Sequence, residues 1–168
     1  LYQIHNPAGF SSIETEMSRM ANLLSRGFIR SVGVSNFSAR QMRDAHSALG
    51  RFGIPLASNQ IRYNLVDRKP ERNGVLETAK ELGVTIIAYS PLSQGILTGK
   101  FHRNPALVSS LKGPRKLLPR FRRLETTRHI VDRLSAIADR HGVTPAQVAL
   151  NWTVRRHDHV VAIPGASS

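Results

Sequence analysis

The residues best suited to chemistry in this 168-residue chain recur in one kind of place, at the end of a short apolar run. His5 follows residues 1–4, Ser35-Asn36 close residues 30–34, Asn59-Gln60 fall near the end of 56–61, Tyr89-Ser90 end 84–89, and Pro164-Gly165 follow 160–163. A histidine there can donate a hydrogen bond to an oxygen on which negative charge builds. Amide side chains carry both a donor and an acceptor, as a carboxamide does, so Asn36 and Gln60, helped by Ser35, can orient a ligand amide such as nicotinamide. The Tyr89 ring can stack on a flat heterocycle, and Ser90 with the backbone N–H groups after it can hold a phosphate. Each residue also has a plain structural reading: His5 tied to a backbone carbonyl, Ser35-Asn36 opening a turn, Tyr89 closing a core.

Other patterns carry less. Gly95-Ile96-Leu97-Thr98-Gly99-Lys100 has one residue too few between its glycines for a phosphate-gripping loop, and Phe101 stands where Ser or Thr belongs. Ser109-Ser110-Leu111-Lys112 matches a Ser-x-x-Lys pattern without its partner motifs. His157 and His159 flank Asp158 with no further ligand nearby, which reads as a solvated turn and supports no metal.

The elements that must position these residues alternate. Residues 1–4, 30–35, 56–61, 84–89 and 160–163 read as strands. Between them, Ile13, Met17, Met20, Ala21 and Leu24 fall at helical spacing after a Ser11–Glu14 capping box, with Gly27 as the stop. Ser38 and Gln41 open a second capped helix, with Met42, Ala45, Ala48 and Leu49 on its apolar face and Gly50 as its end. Val75, Leu76, Ala79 and Leu82 form a third, stopped by Gly83. Ile130, Leu134, Ile137 and Ala138 form a fourth, stopped by Gly142. Thr144-Pro145-Ala146-Gln147 combines a cap, a proline at the first helical position and a capping box. Single helices between strands mean βαβ units and a parallel sheet. No Gly-x-Gly-x-x-Gly turn follows a strand, which weighs against an open dinucleotide-binding sheet. Polar residues gathered at the C-terminal strand ends favour a (β/α)8 barrel, of which five strands are five-eighths.

The chain begins inside one strand and stops just past another, so we expect a single incomplete domain over 1–168, interior to a longer protein and with an exposed sheet edge prone to association. Residues 93–124 read as a long basic loop insertion, too long for an ordinary connection. The composition is globular, with 40% hydrophobic and 21% charged residues and no apolar run long enough to span a membrane. The absence of cysteine excludes disulfides and thiolate chemistry and fits a reducing, cytoplasmic setting. A net charge of +13 favours anionic partners. Much of it falls in Lys112, Arg115, Lys116, Arg120, Arg122 and Arg123, beside Phe121. Without aromatic interleaving or a nucleic-acid-binding motif, this stretch reads as solvated charge or as a rim segment over an anionic cofactor, and nucleic acid is not the expected partner.

Taken in order, Tyr2-Gln3-Ile4-His5-Asn6-Pro7, Ile29-Arg30-Ser31-Val32-Gly33-Val34-Ser35-Asn36-Phe37, Asn59-Gln60 with Tyr63-Asn64, Ala88-Tyr89-Ser90-Pro91-Leu92, Gly95-Ile96-Leu97-Thr98-Gly99-Lys100, Thr144 through Trp152 and Ile163-Pro164-Gly165-Ala166 form a series that resembles the aldo-keto reductases. The resemblance spans the whole chain and implies barrel strands four to eight. The long segment after Tyr89 is similar to that of the bacterial and plant-type members and the potassium-channel β-subunits. It implies NADPH-dependent reduction of a small aldehyde or ketone to an alcohol, with a Tyr acid, a Lys, an Asp and a His. Of these only the His is matched, by His5; the resemblance places the Asp, Tyr and Lys on earlier strands, and Tyr2 cannot stand in for the Tyr because it points to the other face of its strand from His5. A fragment of this kind is expected to be inactive alone. The resemblance assigns Ser35, Asn36 and Gln60 to the carboxamide and Tyr89 to the nicotinamide ring. It assigns Ser90, Leu92, Gln94, Gly95 and Leu97 to the pyrophosphate side, and Gly165 and Ser167 to the adenosine end. It also admits a non-catalytic NADP(H)-binding regulatory subunit of the same fold, and a homo-oligomer.

Overall fold

The computed structural model describes residues 1–7, 11–111, 113 and 118–165, apart from the side chains of Arg120 and Arg122. Five strands form one sheet: β1 (Tyr2–Ile4), β2 (Val32–Ser35), β3 (Leu56–Arg62), β4 (Thr85–Tyr89) and β5 (Val160–Ile163). Every neighbouring pair is parallel and the spatial order is β1-β2-β3-β4-β5. A doubly wound sheet reverses its order at a switch point, whereas a barrel advances in sequence, as this sheet does.

Alternation along the strands separates two faces. Val32, Val34, Leu56, Ile86 and Ala88 form a buried core with Met17 and Met20 of α1 (Ile13–Ser25), Met42, Ala45 and Leu49 of α2 (Ala39–Gly50), and Leu76 and Ala79 of α3 (Val75–Glu81). Trp152 of α7 (Pro145–Arg155) packs on the same cluster. The other face carries Gln3, Gly33, Ser58 and Ile87, with Val161 and Ile163 left about half exposed at 48% and 46%. Gly33 is required there, since a Cβ would lie 2.4 Å from Ser58 Oγ. The Gln3 amide occupies the space instead, donating to Val34 O and Ser58 Oγ at 3.2 Å each.

The Ser38–Gln41 and Thr144–Gln147 capping boxes both form. The Ser11–Glu14 box does not. Helix α1 starts at Ile13, so Ser12 is the cap and accepts from Thr15 N at 3.2 Å, while Ser11 Oγ donates to Glu16 at 3.0 Å.

The 93–124 segment departs from the expected loop. It contains 3-10 turns at Ser93–Thr98 and Pro105–Val108 and short helices α4 (Lys100–Arg103) and α5 (Pro119–Arg122). It also has its own small core, in which Phe101 meets Phe121 edge-on at 5.1 Å beside Ile96. His102, 7% exposed, pins this segment to α6 (Glu125–His141) through Leu124 O and Thr127 Oγ1. Of the basic stretch, Lys112, Arg115 and Lys116 lie outside the described residues, as do the side chains of Arg120 and Arg122.

The turn at Asp158-His159 forms as expected, but His157 and His159 are part-buried in it rather than solvated. The His157 ring packs 6.3 Å from Tyr63 and 5.9 Å from His159, and His159 Nε2 bonds Leu76 O. Beside them the Tyr63 hydroxyl donates to Glu71 at 2.7 Å, and Arg68 grips the same carboxylate. Burial holds the His157 imidazole below its ordinary range, and the hydrogen bond from Arg68 holds Glu71 below the carboxylate range. Both groups therefore take up protons at higher pH unfolded than folded, so acid favours unfolding. The thermal midpoint is expected to drop as pH falls through about 6.5, the ordinary histidine value, and again below about 4.5. Scanning calorimetry of His157→Gln checks this: the upper step should vanish and the lower one remain.

Candidate functional site

The sequence-derived site residues fall at the C-terminal ends of adjacent strands, in two connected groups. In the first, Ser35 Oγ donates to Gln60 O at 2.9 Å, and Asn36 N donates to the same carbonyl at 2.8 Å. The Asn36 amide donates to Ser35 Oγ at 3.1 Å and to His5 O at 3.4 Å, and its Oδ1 accepts from the Tyr89 hydroxyl at 3.2 Å. Four segments are thus tied at one mouth by polar side chains. The His5 ring lies at the rim, exposed, with only its carbonyl in the network. Gln60 follows Ser58 on the uncovered face, and Tyr89 lies one strand on, two residues beyond Ile87 on that face.

In the second group, Ser90, Leu92, Gln94, Gly95 and Gly165 line a groove of about 810 Å³ together with Pro91, Thr98, Lys100, Leu111 and Pro164. Leu97 stands apart from it: its side chain is fully buried with Leu134 and Ala149, and its N–H is bound to Leu92 O. Ser167 lies outside the described residues.

The backbone at both groups is shaped against ordinary preference. The non-glycine residues with left-handed backbone among those described are Asn36, Ser90, Ser93 and Gln94, with φ of 61°, 52°, 48° and 58°. Such strain persists only where its surroundings over-determine it. Two buried asparagines do so here. Asn59 is fully buried on the helix side of β3, accepts from Phe37 N at 3.3 Å and donates to Phe37 O at 2.9 Å, and so fixes the residue after Asn36. Asn64, also fully buried, accepts from Val66 N and Asp67 N and donates to Ser90 O at 3.0 Å, fixing the residue after Tyr89.

Three contributors were not singled out from sequence. Asn64 matched only as part of a pattern. Lys100 is the cation among the described residues lining the groove, its chain lying over Gly95. Arg62 stands level with Tyr89 on the neighbouring strand, its guanidinium 5.7 Å from the ring centre. A charged residue at a strand end was the signal available for Arg62, and the lysine closing the glycine-bounded turn was the signal for Lys100.

The arrangement offers an amide-and-hydroxyl cluster, an aromatic ring and a groove lined, among the described residues, by one cation. Those features suit a ligand with a carboxamide-bearing heterocycle at one end and phosphates farther along.

The chain is similar to known proteins in sequence and in fold. The chain is 41% identical over 174 residues to an uncharacterised oxidoreductase of Mycobacterium tuberculosis, covering 100% of the chain and 50% of the relative. It is 36% identical over 150 residues to the chloroplastic pyridoxal reductase of Arabidopsis thaliana, covering 89% and 39%. It is 33% identical over 169 residues to the aldo-keto reductase str7 of Strobilurus tenacellus, covering 98% and 48%. Among solved structures, the glycerol dehydrogenase from Gluconobacter oxydans superposes with a TM-score of 0.80 at 30% identity, covering 98% of this chain and 48% of that one. A thermostable aldo-keto reductase solved with the inhibitor epalrestat gives 0.73 at 34%, covering 99% and 49%. The chain therefore spans about half the length of the relatives it matches. The model of the aldo/keto reductase family matches residues 1–168, and with these relatives it establishes that the chain belongs to that family.

Proposed function

We propose that the chain is the cofactor-binding part of an NADPH-dependent oxidoreductase that reduces small aldehydes or ketones to alcohols. The observation that carries this reading is the union of Ser35, Asn36, Gln60 and Tyr89 at one mouth, next to the groove that Lys100 enters. Ser35, Asn36 and Gln60 would hold the carboxamide and the Tyr89 face would cover the nicotinamide. Ser90, Leu92, Gln94, Gly95 and Lys100 would take the phosphates, and Gly165 and Ser167 would lead toward the adenosine. The residues present fit such a group: Gln60 leaves its amide free of hydrogen bonds among the described residues, and the lining of the groove is neutral or cationic. When bound, the nicotinamide supplies the hydride. His5 at the rim donates an N–H to the carbonyl oxygen as negative charge gathers there. The proton completing the alcohol needs a positioned acid, a role the resemblance gives to a Tyr that no described residue matches, so the 168-residue chain is expected to bind without turnover.

Titration with NADPH, followed by Trp152 quenching and nicotinamide emission, tests the reading. Saturable binding supports it, and none at millimolar cofactor refutes it. In the same assay Lys100→Ala is expected to weaken binding by about fivefold, roughly the 1 kcal/mol of an exposed ion pair. It should also flatten the dependence of affinity on salt.

A further inference from the structure

Arg62 is the residue of the mouth to which neither the fold nor the site described above gives a task. It ends β3 level with Tyr89 on β4. Its guanidinium carbon lies 5.7 Å from the Tyr89 ring centre, within the range of a cation–π contact. Its Nε is buried and lacks a hydrogen-bond partner, and Arg62 makes no ion pair among the described residues. On the outer side of the strand Arg62 lines a groove with Asp67, Lys69, Asn36 and Gln41, and Asp67 is within ion-pairing distance of neither cation among the described residues. The arginine charge is therefore not neutralised by an ion pair, and the ring it lies over is the one assigned above to the nicotinamide.

A nicotinamide is neutral when reduced and a cationic pyridinium when oxidised. A fixed positive charge behind the stacking ring acts differently on the two. It repels the pyridinium through space, and it draws electron density from the tyrosine face that an electron-poor ring would otherwise favour. We propose that Arg62 is a positioning residue that acts through Tyr89 to make this site discriminate by oxidation state, holding NADPH in preference to NADP+. This rests on the cofactor reading above and goes beyond it by assigning the direction in which the site biases its couple.

The test is equilibrium binding of NADPH and NADP+ separately to the 168-residue chain and to Arg62→Met, Arg62→Lys and Arg62→Glu. The ratio of the two dissociation constants is the readout. Arg62→Met should reduce the preference for NADPH by about fivefold, equivalent to about 20 mV in the midpoint potential of the bound two-electron couple. Arg62→Lys should retain the preference, and Arg62→Glu should lower it further than Arg62→Met. A merely structural role would weaken both forms equally and leave the ratio fixed, which overturns the inference while the cofactor reading stands. Tighter binding of both forms to Arg62→Met would mean that the arginine competes for the ring face, and it overturns the inference too. If the unaltered chain binds neither form, the cofactor reading itself falls.

Discussion

Replacing Asn59 by leucine is expected to lower the stability of the chain by about 3 kcal/mol, although the two side chains share the same branched arrangement of heavy atoms. Asn59 is fully buried, and both ends of its amide are spent on the backbone of Phe37, itself 1% exposed. Leucine leaves a buried N–H and a buried carbonyl without partners, each worth roughly 1–3 kcal/mol. Packing offsets part of this, because leucine gains apolar contact with the helix layer. Urea unfolding should show a lower midpoint with an unchanged slope, the sign of a stability change rather than a more open native state. The consequence should reach the mouth as well. Phe37 follows Asn36, which has a left-handed backbone and whose N–H donates to Gln60 O at 2.8 Å at the end of the β2–β3 pairing. Released from Asn59, that segment can relax out of its strained conformation, so NADPH affinity should fall although Asn59 faces away from the mouth. If stability drops and affinity is retained, the clamp on Phe37 serves the fold alone.

Asn59 and Gln60 also show what can be read from one sequence. Adjacent residues in a strand point to opposite faces, so a polar pair at a strand end divides its labour, one side chain into the helix layer and one toward the mouth. The strands themselves were legible because strands of a parallel sheet are short apolar runs bounded by glycine, proline and polar residues. The parallel barrel followed from helical connections between successive strands, the polar residues gathered at the C-terminal strand ends and the absence of a glycine-rich turn. The Ser38 and Thr144 boxes were legible because only one frame fits each, whereas Ser11 and Ser12 offer two and the structure takes the second.

What stayed hidden depends on distant partners. Phe101 and Phe121 create order in the 93–124 segment by meeting each other, and no helical period links them. The His157 ring packs beside Tyr63, which the sheet brings there at the end of β3. Lys100 and Arg62 carry charges that composition assigns to solvent by default. Only the turn around Gly95 and the pairing of β3 with β4 turn them toward the site.

Tyr89→Ala is expected to weaken NADPH binding to the chain by tenfold to a hundredfold, the 1–3 kcal/mol or so that an aromatic ring contributes by stacking on a base. The estimate depends on the ring rather than the hydroxyl. The hydroxyl makes one exposed 3.2 Å bond to Asn36 Oδ1, whereas the ring reaches from β4 toward the end of β2, beside Arg62. Tyr89→Phe keeps the face and should cost no more than about threefold, in line with a solvent-competed hydrogen bond. Tyr89→Trp enlarges the face and should retain most of the affinity where the groove accepts it. The thermal midpoint of Tyr89→Ala should move little, since the ring is only partly buried and stands outside the main core. A loss of affinity without a loss of stability therefore isolates ligand contact from folding. Equal losses for alanine and phenylalanine would instead place the effect in the Tyr89–Asn36 bond, making the tyrosine a prop for the asparagine and leaving the nicotinamide face to another group.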